Sequence, residues 1–152
     1  MKCYACGKTG MKTAVEKVDL DGVAQVEATV RRCPSCGEKA VAYERMDDLF
    51  RQVAVELSDA DRRLMPHELA WLRKYTGASG RDWADFIGRS PETLSRWENG
   101  AEEYPLAFER LLRLAVKNGP MEWEYVKELR DPKKTEPRIE LHQNSAGRWV
   151  RT

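Results

Sequence analysis

The stretch Gly88-Arg89-Ser90-Pro91-Glu92-Thr93-Leu94-Ser95-Arg96-Trp97-Glu98-Asn99-Gly100 carries the signals that decide the fold of the second half of the chain. Ser90 is an N-cap residue, Pro91 falls at the first helical position where a missing N–H costs nothing, and Asn99-Gly100 supplies the stop. The spacing therefore predicts a helix of about two turns. Leu94 and Trp97 lie three apart and share an inward face, which turns Glu92, Thr93, Ser95 and Arg96 toward solvent.

Working outward, His67 to Tyr75 reads as a helix with Leu69 and Leu72 inward and Trp71 beside them, ended by Gly77. Ser79 to Ile87 is the next helix. Trp83, Ala84, Ile87 and Gly88 form a tight corner, where the small Ala84 lets two helices approach closely. After the opening stretch, Pro105 to Lys117 carries Leu106, Phe108, Leu111, Leu112, Leu114 and Ala115, an apolar face suited to closing a small helical core. Ahead of all of these, Met46, Leu49, Phe50, Val53 and Leu57 follow the i, i+3, i+4, i+7 pattern of an amphipathic helix. Ser58-Asp59-Ala60-Asp61 offers a break or a new cap, residues 58–65 are the expected linker, and Met46 and Met65 read as gap fillers.

The first third has a different chemistry. Cys3-Tyr4-Ala5-Cys6 and Cys33-Pro34-Ser35-Cys36 are two Cys-x-x-Cys pairs, each followed by a glycine, Gly7 and Gly37, that suits a tight turn. Between them Asp21-Gly22 is a hairpin-turn pair, and Val26, Ala28 and Val30 alternate with polar residues, so the two pairs are expected to meet. Four thiolates brought together make a closed tetrahedral site for structural zinc, one ion per chain. Disulfides and a thioredoxin-type redox pair are the alternatives. Zinc accounts for all four cysteines, and it explains how residues 1–43, with few apolar side chains, hold a fold.

The chain has 152 residues, 41% hydrophobic and 34% charged, a globular balance without a membrane span. Met1-Lys2-Cys3-Tyr4 does not open an apolar run of signal-peptide type, so a reducing cytoplasmic compartment is expected. The formal net charge is +1, which does not by itself indicate a nucleic-acid partner. From Pro66 to Asn118 the charges cancel, so any grip on nucleic acid is expected to be modest and salt-dependent, relying on Arg81, Arg89 and Arg96 converging on one face. No Ser/His/Asp set, phosphate loop or paired-carboxylate cluster stands out, and an enzyme is not expected. His67 and His142 read as ordinary surface or cap residues.

Leu72-Arg73-Lys74, Trp83-Ala84-Asp85-Phe86-Ile87-Gly88 and Ser90 to Gly100 resemble the phage-repressor (XRE-type) helix-turn-helix. With the two Cys-x-x-Cys pairs ahead of it, the arrangement over residues 1–118 resembles the MqsA antitoxin family of YgiT-type zinc-finger/helix-turn-helix proteins. The fold implied is α+β: a zinc-ribbon-like β-hairpin domain with its following helix over 1–57, the linker 58–65, an all-α helix-turn-helix domain over 66–118, and an extension over 119–152. The resemblance implies a homodimeric autorepressor that binds a palindromic operator in double-stranded DNA and neutralises a cognate toxin through its zinc domain. A regulator without a toxin and a protein-binding adaptor that does not contact DNA are the alternatives. At the matching positions Arg96 and Glu92 reach base edges, while Gly80 stands where many members of the superfamily carry glutamine. A guanidinium takes guanine O6 and N7 together, and Glu92 can accept from cytosine N4. Thr93 and Ser95 supplement with phosphate or thymine-methyl contacts, and Ser90 marks the helix end whose dipole favours phosphate.

The extension lies outside the resemblance. Glu122 to Leu129 reads as a short helix and Asp131 to Pro137 as a loop. Residues 138–142 and 148–151, joined through Asn144-Ser145-Ala146-Gly147, alternate like two strands of a hairpin. Such a hairpin is marginal alone, and is either a flexible tail or a segment that docks on the domain or pairs across a dimer through Trp149.

Overall fold

The computed structural model describes residues 1–119 and 139–152. The expected helix over 122–129, the loop over 131–137 and Arg138 lie outside the described residues. The described residues are mixed α/β: a three-stranded antiparallel sheet, five helices, and a two-stranded hairpin at the end.

Strands β1 (Lys12–Leu20) and β2 (Ala24–Arg32) pair from Leu20↔Ala24 out to Lys12↔Arg32. The reversal falls on Asp21-Gly22 because both residues take positive φ, 52° and 72°, the twist a tight hairpin demands. Asp19 accepts from the Gly22 N–H at 2.8 Å and fixes the turn. A third strand, β3 (Lys39–Ala42), pairs with the end of β2 through Thr29↔Ala42 and was not anticipated, since four residues are too short for alternation to register. Val18, Ala28 and Val30 form a small buried cluster on one face of this sheet.

Helices α1 (Met46–Asp59), α2 (Pro66–Tyr75), α3 (Gly80–Phe86), α4 (Pro91–Glu98) and α5 (Leu106–Lys117) follow. The caps are those the residues specify. Ser79 and Asp82 form a capping box on α3, and the Ser90 hydroxyl accepts from the Thr93 N–H at 3.2 Å on α4. Leu69, Leu72, Trp83, Leu94, Trp97, Phe108 and Leu112 make one core, with Phe108 edge-on to Trp83 at 5.9 Å. Met46 and Met65 are exposed and fill no gap; the inward positions of α1 are Val53, Ala54 and Leu57.

Val53, Ala54 and Leu57 of α1 belong to the same core as α2 to α5, so α1 packs with the helices that follow it. Leu20 enters that core too, with Val23, Ala24 and Val26 against it, and His67 Nε2 lies 3.0 Å from the Gly22 carbonyl. His67 thus joins the hairpin tip to α2 rather than capping a helix. Residues 58–65 are polar but tied down. Leu64 is buried, and Arg113 donates to the carbonyls of Ser58, Ala60 and Arg62 at 3.1, 2.6 and 2.6 Å. Glu109 of α5, only 1% exposed, accepts from Arg63 Nε at 2.5 Å, Leu64 N–H at 3.1 Å and Arg113 Nη2 at 2.7 Å. The Tyr104 hydroxyl donates to the Leu64 carbonyl.

At the C-terminus β4 (Leu141–Gln143) and β5 (Trp149–Arg151) pair with Gln143 opposite Trp149. Among the described residues no helix is long and apolar enough to cross a membrane.

Candidate metal centre and helix-turn-helix face

The two Cys-x-x-Cys pairs fold as matching turns. Cys3 N–H donates to the Lys8 carbonyl at 2.9 Å and Gly7 N–H to the Cys3 carbonyl at 2.8 Å; Cys33, Glu38 and Gly37 repeat the pattern at 2.9 and 2.9 Å. Gly7 and Gly37 take φ of 71° and 75°, the left-handed conformation that closes each turn without a side-chain penalty. The β1–β2 hairpin carries one turn to the other, and β3 leads away from the second. Tyr4 reaches across from the first turn to donate to Glu38 after the second.

The four sulfurs lie within 4.8 Å of one another, with Cys3 to Cys36 at 3.7 Å and Cys6 to Cys33 at 3.6 Å. A disulfide requires about 2.05 Å, so all four thiols are free. Four sulfurs about 2.3 Å from one centre would stand about 3.8 Å apart, so the spacing fits a tetrahedral metal ion. Backbone donors prepare the site. The N–H groups of Ser35 and Cys36 hold the Cys33 thiol down at about 6. At Cys36 the Glu38 N–H lowers the pKa, but burial and the other three sulfurs outweigh it and push the thiol up to about 12. The bare cluster therefore resists losing all its protons, whereas a divalent cation favours four thiolates. Metal binding is expected to release protons near neutral pH, and affinity to fall on acidification. Calorimetry in buffers of different ionisation enthalpy checks this; a buffer-independent heat contradicts it.

The second feature is the α3–α4 corner. The chain turns at Gly88, whose φ is 67°, and Arg89 N–H donates back to the Ala84 carbonyl at 2.8 Å. Leu94 and Trp97 are buried as their spacing predicts, and Glu92, Ser95 and Arg96 are exposed. Thr93 is half-buried, its hydroxyl 3.1 Å from that of Ser90, so both hydroxyls are engaged in the cap. Ser95 accepts from Asn99 Nδ2 at 3.3 Å. Arg96 rests 3.5 Å from Glu102, an exposed pair worth little in water. Arg81 and Arg89 are exposed and form no ion pair among the described residues.

Glu92 ties this surface together. Its carboxyl is held below the usual glutamate range, first by its own backbone N–H, then by the Ser90 hydroxyl, with the Arg96 and Arg81 charges adding. Arg81 on α3 and Arg96 on α4 therefore bring their fields to one place. The cancelling charge count also hides an imbalance in position. Glu68, Glu98 and Glu109 are drawn inward against Arg62, Arg73, Arg63 and Arg113, with Arg73 Nη2 3.1 Å from Glu98 as a bridge between α2 and α4. Arg81, Arg89 and Arg96 stay outside, together with Glu92 and Glu102.

Gly80 sits at the start of α3, where an added Cβ would meet Arg73 and Leu94 at ordinary contact distances of 3.8 Å. Nothing in the backbone requires glycine there. Glu109 and Arg113 stand at i, i+4 on one helix, but the Arg63–Glu109 and Arg73–Glu98 pairs, 46 and 25 residues apart with nothing periodic between them, leave no trace in the sequence. No protein-family model matches the chain, and no curated protein is similar to it in sequence.

Proposed function

We propose that this protein is a dimeric, sequence-specific DNA-binding repressor of the XRE type whose N-terminal domain carries a structural zinc ion. The observation that carries the reading is the α3–α4 corner, where Arg81, Arg89 and Arg96 stand exposed about the capped helix α4, with Glu92 exposed among them. In this reading α4 enters the major groove with Arg96 bidentate on a guanine and Glu92 accepting from a cytosine amino group. Arg81, Arg89 and the α4 N-terminus hold phosphates, with Ser90, Thr93 and Ser95 at the margin. Two copies address a palindrome whose half-sites lie about 34–36 Å apart or a multiple of that.

The zinc domain serves as the arm that binds a cognate toxin. Its nine-residue strand β1 is an edge strand, with Val15 70% exposed, and Met1 and Tyr4 are exposed beside the metal centre. An unpaired edge and exposed apolar groups support a protein partner there. The chain then acts as antitoxin and as repressor of its own operon.

A mobility shift on the protein's own promoter, taken across salt concentrations, tests the DNA reading. Arg96→Ala is expected to cost about 1–3 kcal/mol of specific binding and to relax discrimination at one base pair per half-site. Arg89→Ala is expected to weaken binding to all sequences alike and to reduce the salt slope by about 1. Unchanged affinity in both variants would leave the helical domain as a protein-binding adaptor.

A further inference from the structure

Two unpartnered apolar features of the described chain fit each other. The first is an open cleft of about 640 Å³ between the hairpin tip, α1, and the C-terminal ends of α2 and α5. That volume lies within the roughly 300–1,000 Å³ of clefts that bury a sizeable group. Its wall is a preformed aromatic stack: Trp71 lies parallel to Tyr75 at 5.9 Å and edge-on to Phe50 at 5.7 Å. Asp21 and Asp47 rim it, with Lys74 as the opposing charge. The carbonyl ends of α2 and α5 also converge there, at Thr76 and Gly119, and helix C-termini favour cations.

The second is the β4–β5 hairpin. Alternation places Ile139, Leu141 and Gln143 on one face, and the register Leu141↔Arg151, Gln143↔Trp149 adds Trp149 and Arg151 to it. This face is apolar with a basic edge, and it is bare: Ile139, Leu141 and Trp149 are 75%, 52% and 66% exposed. A two-stranded hairpin is marginal without cover. No hydrogen bond or ring contact joins hairpin to cleft among the described residues.

We infer that the cleft receives the apolar face of the C-terminal hairpin from a second copy of this chain, with Trp149 against the Phe50–Trp71–Tyr75 wall and Arg151 toward Asp21, Asp47 and the helix ends. Charge is complementary, and the nineteen residues 120–138 between cleft and hairpin are enough chain to reach a neighbour. A two-fold exchange fills both clefts at once, the self-complementary arrangement that closes as a dimer. The exchange is independent of DNA.

Full-length protein with benzoylphenylalanine in place of Trp149, mixed with a differently tagged copy and irradiated without DNA, is expected to cross-link between copies to residues 47–76. Sedimentation is expected to show dimers weakened about tenfold by Arg151→Glu and likewise by Asp47→Arg, with recovery in the double variant, helical content being unchanged throughout. Cross-links confined to one chain, cross-links to another surface, a monomeric protein, or charge variants that dimerise as the parent does would each overturn the assignment. A dimer that persists with Trp149 elsewhere would leave the DNA reading standing.

Discussion

Removing the metal is expected to unfold the sulfur end of the N-terminal sheet while the helices stay folded. The four cysteines occupy the end remote from the hairpin tip, where little apolar surface is buried: Tyr4 and Val15 are exposed, and the local cluster is only Val18, Ala28 and Val30. Without a cation, four sulfurs within 4.8 Å have nothing to oppose their mutual repulsion once they ionise. Structural zinc sites contribute apparent free energies of about 10–16 kcal/mol at neutral pH, more than a small sheet can replace by packing. The hairpin tip differs, because Leu20 sits in the helical core and His67 holds Gly22. Hydrogen exchange after chelation is therefore expected to show protection lost over residues 1–16 and 29–42 and largely kept at 20–24 and through α1 to α5. Cys33→Ser is expected to have the same effect without chelator. Full protection at β3 after chelation would contradict the role assigned to the metal.

The second large effect is expected at Glu109. Burial pushes its carboxyl up, but Arg113, Arg63 and the Leu64 N–H together hold it below the usual glutamate range. Glu109→Ala leaves two guanidinium groups facing each other beside an unsatisfied N–H, and is expected to cost about 3–5 kcal/mol in urea unfolding. Glu109→Gln keeps an acceptor for Leu64 and is expected to cost less. Because the folded pKa is the lower one, the carboxylate's contribution is complete above the unfolded value of about 4.3 and disappears as pH falls through the folded value. The parent is thus expected to lose stability on acidification below about pH 5, with a shallower slope in Glu109→Gln. An alanine variant within 1 kcal/mol of the parent would refute this account.

What the sequence disclosed and what it withheld divide along the range of the interactions. Ser90-Pro91 and Asn99-Gly100 announce α4 because caps and stops are settled within one turn, and Asp21-Gly22 announces the hairpin for the same reason. The Cys-x-x-Cys spacing similarly foretold that four sulfurs meet, since each knuckle is a local turn and the hairpin between them is short. By contrast, the segment 58–65 has the composition of a linker, yet Arg113 and Glu109 fasten it from 45 to 55 residues away. A polar segment looks alike in sequence whether its carbonyls face water or a guanidinium. Trp71 and Tyr75 show the same limit: their i, i+4 spacing places them on one helix face, but only α1 and α5 turn that face into a cleft.

The burial of Leu20 has a consequence for how such chains can change over generations. Swapping the metal-binding end between relatives to acquire a new partner would look simple if the join lay at a loose 58–65. Here an exchange cut at that point would separate Leu20 and Leu57 from Leu69 and Leu72 and Gly22 from His67, residues that must match across the join. Recombination is thereby steered away from the obvious boundary, whereas substitution along the outer edge of β1, where Val15 is exposed, leaves the core untouched.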